Sequence, residues 1–380
     1  MPYSDEQLAR MYAPIIRHEI CDEAPHRDFL VRFDFDRIPG RDAGEGWAWR
    51  NPAKATHIGL LDPGNPATQK VERYDVGCTI TDNAGVSYEL DLRGHVYYSV
   101  VRTRTHNYIT YFWYHPSDWK NIGSHDNDME GAMVVAGTEG GPVAVVAAIE
   151  HSDLNAGRVD RQGRPLTSSH QRENEVQLWP GDLKRTTLHV ECKGHGVWLN
   201  GFNRHGENSW TGTLEYHPEE MLPDAHKRPP LVDEAANEYG DRGKTILRSY
   251  SLEPTYEPDT ELGLWNQFKK LGAEGGLGMN PPWLWTHRGD FCDPGEWFLD
   301  PAFYYAYRRD GLGLKYGGLN LRDQVKSGVW ALRYTSNPFL EYKLSDEAKQ
   351  RGTAFQPERE ARMIDKIIAK QAQRKGEYFE

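Results

Sequence analysis

The chain of 380 residues carries 45 Lys+Arg against 56 Asp+Glu, a formal charge of −11, which disfavours nucleic acid as a partner because phosphate binding needs a basic face. Hydrophobic residues make up 38% and the mean hydropathy is −0.75, so a core has to be built from the 12 Trp, 20 Tyr and 12 Phe together with β-branched residues. No apolar run approaches the length of a membrane span, and 37 Gly with 23 Pro point to a loop-rich, mainly β globular protein rather than a disordered chain.

Ser4 and Gln7 fit a capping box, and Leu8, Met11 and Tyr12 form a short apolar stripe, so a helix starts here and ends by Pro14. MPYSDEQLAR thus reads as a capped helix, not as a basic region followed by an apolar one. The expectation is a cytoplasmic protein, or one exported without a classical signal peptide. Cys21, Cys78, Cys192 and Cys292 lie far apart with no CxxC, which excludes a zinc ribbon and a thioredoxin motif and leaves reduced thiols as the default.

FLVRFDFD (29–36) alternates strictly and reads as a strand, and 37–70 reads as loop anchored by Trp47 and Trp49. Further strands are expected near 73–80, 85–92, 95–103, 107–114, 129–137, 142–151, 186–192 and 195–200, with turn residues between them. Consecutive strands joined by short turns argue an antiparallel β-sandwich with peripheral helices and long loops. The polar stretch 152–185 is too long for a hairpin and reads as a functional loop. Past 215 come Pro-rich pieces, an aromatic segment (280–310), and a charged tail with Met363, Ile364, Ile367 and Ile368 on one helical side. The division that follows is a sandwich core over 1–215 and a loop-rich extension over 216–380 ending in a helix; one single domain is the other reading.

One stretch carries chemistry: YFWYHPSDWKNIGSHDNDMEG, residues 111–131. An aromatic strand is expected to break at Pro116, and Asp118, His125, Asp128 and Glu130 gather before AMVVAG resumes. Asp128 and Glu130 share a strand face at i and i+2, His125 can swing over the same spot, and Asp118 could meet them across the turn. Carboxylates converging without a counter-charge repel one another, and a divalent cation removes that penalty. Oxygen-rich ligation favours Mg²⁺, Ca²⁺ or Mn²⁺. An acidic solvated turn is the other reading. His151 ends the apolar run PVAVVAAIEH, as a structural residue or a ligand. His195, between two glycines in ECKGHGVW, reads as a turn histidine with an accessible imidazole.

The string YFWYHPSD…GSHDNDMEG resembles the core signature of the necrosis-and-ethylene-inducing-like proteins and the His-x-x-Asp-Trp-Glu segment of the related Vps62-like proteins. The family's metal-binding positions fall on Asp118, His125, Asp128 and Glu130. AIEHSD with His151, KGHGVW with His195 and the N-terminal ARMYAPII continue the likeness, which covers roughly 8–20 and 95–200. The motif's second histidine is Asn127 here and its tryptophan is Met129, and residues 216–380 have no counterpart in a plant-toxic cytolysin. The resemblance implies a β-sandwich whose central strands hold a divalent cation near a surface cleft, with His151 as a water-bridged candidate. In the cytolysin relatives that cation helps to bind the sugar headgroup of a membrane sphingolipid.

Two functions use such a site. A binding module would take a small-molecule polyol, a glycan or a lipid headgroup, since hydroxyls coordinate hard cations and aromatic faces stack on sugar rings. A metal-dependent hydrolase would instead activate a water, with His151 or His195 as general acid or base. Gly-x-Ser-x-Gly, P-loop and dinucleotide fingerprints are absent.

Overall fold

The helix α1 spans Asp5–Tyr12 and starts where the capping box places it. Gln7 N donates to Ser4 Oγ at 3.1 Å, and Ser4 N donates to Gln7 Oε1 at 2.9 Å. At its other end Arg185 Nη1 donates to the carbonyls of Arg10 (2.6 Å) and Ala13 (2.9 Å), placing a cation where helix carbonyls lack partners. Buried tyrosines tie this region to the sheet: Tyr111 Oη donates to Ala9 O and Tyr250 Oη to Pro14 O, each at 2.7 Å.

The computed structural model describes residues 3–21, 28–32, 70–73, 77–81, 87–91, 93–118, 125–138, 144–147, 176–178, 185–198, 210–227, 245–255, 301–302, 315–316, 319–320, 328 and 330–338. The strands in chain order are β1 (Ile15–Cys21), β2 (Lys70–Arg73), β3 (Gly77–Thr81), β4 (Ser87–Asp91), β5 (Gly94–Thr103), β6 (His106–Asp118), β7 (His125–Gly137) and β8 (Ala144–Ala147). They continue with β9 (Val176–Leu178), β10 (Thr187–Val190), β11 (Val197–Trp198), β12 (Trp210–Pro218), β13 (Thr245–Pro254), β14 (Lys315–Tyr316), β15 (Leu319–Asn320) and β16 (Tyr334–Ser336). Among the described residues no helix is long and apolar enough to cross a membrane.

One sheet runs in the order β11-β10-β1-β12-β13-β5-β6-β7-β8-β9, with β16 added beside β5; β2-β3-β4 and β14-β15 are separate small sheets. The expected antiparallel sandwich is corrected here, because the main sheet is mixed and curls on itself. β1 is parallel to β10, β12 to β13, and β13 to β5. Parallel neighbours need long crossovers, and the strands that supply them, β1, β12 and β13, are pieces whose neighbours are remote in sequence. The curl brings β11 into contact with β7.

Other expectations shift as well. The aromatic strand does not stop at Pro116: the β6–β7 ladder continues through Ser117↔Asp126 to Asp118↔His125. Of the stretch 29–36, Val31 makes an isolated bridge to Tyr114 and 33–36 lie outside the described residues. β9 lies inside the stretch expected to be loop. The boundary drawn at 215 falls within β12, and β13 and β16, from beyond it, are bonded into the same sheet. The C-terminal helix expected over 344–376 lies outside the described residues.

Burial explains why β5 and β6 read as near-continuous apolar runs. Val96, Tyr97, Val100 and Val101 are buried, as are Tyr108, Ile109, Tyr111, Phe112, Trp113 and Tyr114, so both faces of these strands are covered. Gly131 lets β7 approach β6: a Cβ there would clash with the Tyr111 carbonyl oxygen and lie 3.1 Å from Phe112 Cβ.

Candidate metal centre

Three elements bring one histidine each to the same point. β1 carries His18 in register between Ile16 and Ile20, both wholly buried. β6 carries His115 directly after Tyr114. The turn from β10 to β11 carries His195. One potential ligand atom from each of the three lies within 4.8 Å of the others. His115 and His195 stack face to face, with centroids 3.6 Å apart and planes at 11°. His18 meets both edge-on, at 5.0 Å from His115 and 5.6 Å from His195.

The cluster is sealed: His18, His115, His195 and the neighbouring Asp28 are all 0% exposed. His18 Nδ1 lies 2.6 Å from the Glu19 carbonyl oxygen, so Nδ1 carries the proton and Nε2 presents its lone pair. That Nε2 has no hydrogen-bond partner, and neither ring nitrogen of His115 has one. Asp28 Oδ1 takes His195 Nε2 at 3.2 Å and the Lys193 backbone N–H at 2.9 Å. The turn is drawn tight around this carboxylate, with Lys193 at φ 66° and His195 at φ 54°, in the left-handed region that non-glycine residues rarely occupy.

Electrostatics keep the His18 and His115 imidazoles neutral. Burial pushes His18 down to about 3, with the His195 charge adding to the effect and Asp28 and the Glu19 carbonyl opposing it. His115 falls well below its ordinary value, first by burial and then by His195 and His18. The Phe29 backbone lies near enough to oppose this weakly, without hydrogen-bond geometry to either ring nitrogen. Buried, converging nitrogens, neutral at His18 and His115, are what a metal ion requires of histidine. This cluster could hold one.

The residues singled out from sequence distribute unevenly. His195 belongs to the cluster, but its two glycines do not expose it; the imidazole expected to be accessible is wholly buried. Glu130 is a buried carboxylate, 2% exposed, on β7. Asp118 and His125 form the terminal rung of the β6–β7 ladder, with Asp128 on the rung of His115 and Glu130 on that of Trp113. Glu130 stands five residues along β7 from His125, the partner of Asp118. The side chains of Asp118, His125 and Asp128, and all of His151, lie outside the described residues.

Sequence reasoning missed His18 and His115. A signal existed for the first: Ile16, His18 and Ile20 alternate on a β-branched run, which places the histidine on the same buried face. His115 sat inside the motif, masked by the carboxylates that follow it.

No family model matches the chain, and no curated protein matches it. Among solved structures, NLPPya in complex with mannosamine aligns over 64% of this chain and 85% of its own, at 15% identity and a TM-score of 0.26. A TM-score of that size does not establish a shared fold.

Proposed function

We propose that this protein binds a divalent cation at the end of the β6–β7 hairpin and uses it to hold a hydroxyl-bearing ligand: a polyol, a glycan or a lipid headgroup. Asp118, His125, Asp128 and Glu130 supply the cation site, directly or through water. The observation that carries the reading is the ladder register. Asp118 is the direct partner of His125, and Asp128 and Glu130 lie three and five residues further along β7. The formal charge of −11 and the carboxylate-rich motif favour a hard cation over an anionic ligand. Such a cation at a hairpin end keeps coordination positions for ligand hydroxyls, as oxygen-bound Ca²⁺ and Mg²⁺ commonly do.

The test is calorimetric titration of chelator-treated protein with Ca²⁺, Mg²⁺ and Mn²⁺, followed by sedimentation with vesicles that contain or lack a glycosylated sphingolipid. One of the three cations should bind at one equivalent, Asp118→Asn with Asp128→Asn should abolish it, and vesicle binding should require both cation and glycolipid. A folded wild-type protein that binds none of the three cations would end this reading. Metal-dependent turnover of a phosphate or carboxylic ester, without glycolipid binding, would replace it with a hydrolase.

A further inference from the structure

The hairpin site and the histidine cluster ask for different ions. A hard-cation site needs oxygens; the cluster offers three imidazole nitrogens. Nitrogen ligation suits Zn²⁺, Co²⁺, Ni²⁺ or Cu²⁺, whereas Mg²⁺ and Ca²⁺ prefer oxygen. The cluster is also closed to solvent, while a cation that recruits a ligand must face it. We propose that His18, His115 and His195 form a separate, buried site for a borderline transition-metal ion of the zinc type, which clips β1, β6 and the β10–β11 turn together.

Four observations carry this assignment. The first is convergence: the three ligand atoms lie within 4.8 Å of each other, although the residues come from three separate elements. The second is unmet bonding capacity, since His18 Nε2 and both nitrogens of His115 have no hydrogen-bond partner in a dry interior. A neutral imidazole carries one N–H and one lone pair, so the lone pair of His115 is an unused ligand atom that a metal ion would take.

The third is the outer layer of bonds. Metal-bound histidines commonly donate the other ring N–H to a carbonyl or a carboxylate, which fixes the tautomer and the ring orientation. His18 does this with the Glu19 carbonyl, and Asp28 stands at His195 Nε2, so an ion would be taken at His18 Nε2 and His195 Nδ1. The fourth is backbone cost: His195 is held at φ 54°, a conformation that persists only where its surroundings impose it.

The fit requires a modest rearrangement. Three nitrogens at zinc distance in a tetrahedral shell lie about 3.4 Å apart, closer than the 4.8 Å limit that bounds them here. The stacked faces of His115 and His195 also have to turn for their lone pairs to converge. An ion therefore draws β6 and the β10–β11 turn toward β1, and its binding free energy adds to that of the curled sheet.

The experiment uses the full chain, untagged and purified without chelator. Metal content is measured first. The protein is then stripped and titrated with Zn²⁺ and Co²⁺, with Mg²⁺ and Ca²⁺ as controls, reading melting temperature and visible cobalt absorption. The expected result is one equivalent of Zn²⁺ or Co²⁺, a rise in melting temperature of several degrees, and d–d bands of a nitrogen-ligated ion. Mg²⁺ and Ca²⁺ should leave that cobalt spectrum unchanged. His18→Gln with His115→Gln should abolish it, while His226→Gln, outside the cluster, should not.

Folded wild-type protein that binds neither Zn²⁺ nor Co²⁺ at one equivalent overturns the proposal, whatever becomes of the variants. So does cobalt binding that survives the double substitution, which would mark a surface site. Loss of hard-cation binding in Asp118→Asn with Asp128→Asn, with the cobalt spectrum intact, separates this site from the hairpin site.

Discussion

His18 and His115 meet edge to face at 5.0 Å, although β12, β13 and β5 lie between their strands in the sheet. In a flat sheet, strands spaced about 4.8 Å apart would hold β1 and β6 about 19 Å from each other. The contact is therefore a direct consequence of the curl.

Replacing His115 by leucine deletes two nitrogens that have no hydrogen-bond partner and keeps a side chain of similar size. In chelator-treated protein the cost in urea denaturation should stay under about 1.5 kcal/mol. With Zn²⁺ present, wild type should gain stability and His115→Leu should not. A loss above about 3 kcal/mol in the stripped protein would show that the imidazole is engaged in polar bonding of its own.

Asp28→Ala removes an acceptor that serves both His195 Nε2 and the Lys193 N–H. The expected destabilisation is about 1–3 kcal/mol, and Asp28→Asn, which keeps an acceptor oxygen, should cost less. Both variants should weaken zinc binding by roughly 10–100-fold, as loss of a carboxylate behind a ligating histidine does. Equal zinc affinities for wild type and Asp28→Asn would remove this residue from the metal centre.

Gly131→Ala tests how closely β7 must lie on β6. A Cβ at this position runs into the Tyr111 carbonyl oxygen, which is backbone held in the ladder and cannot swing aside. Overpacking of this kind should cost about 1–3 kcal/mol, read as a lowered melting temperature. An unchanged value would mean that the hairpin relaxes at that rung.

Burial pushes His106 and His189 down to about 4 from 6.5, with Arg17 adding to the effect at His189. Below about 6.5 the unfolded chain takes up protons that the folded one refuses, until both are protonated below about 4. Stability should therefore rise with pH across that window and level off above it. Burial is the largest single effect on the Glu253 carboxyl and raises it, but His95 and Arg32 together outweigh it and hold the group below its ordinary value; its contribution is lost at lower pH and carries the same sign. Urea midpoints that fall between pH 4 and 6.5 would contradict the buried, neutral state of both histidines.

What the sequence determined by itself is what local physics controls. The capping box of Ser4 and Gln7 marks the start of α1 because the two bonds join residues three apart. β5, β6 and β7 are legible because β-branched and aromatic runs flank short connections, and antiparallel neighbours need nothing more distant. β1, β12 and β13 were not legible. Their partners lie across long crossovers, so the short run IIRHEIC after Pro14 shows no sign of which strands flank it. The acidic motif drew attention to carboxylates adjacent in the chain, and the ladder spreads them over five rungs. Only the tertiary structure decided that His18, His115 and His195 share one dry point, because the curl of a mixed sheet, a property of strand order and twist rather than of any local segment, brings them there.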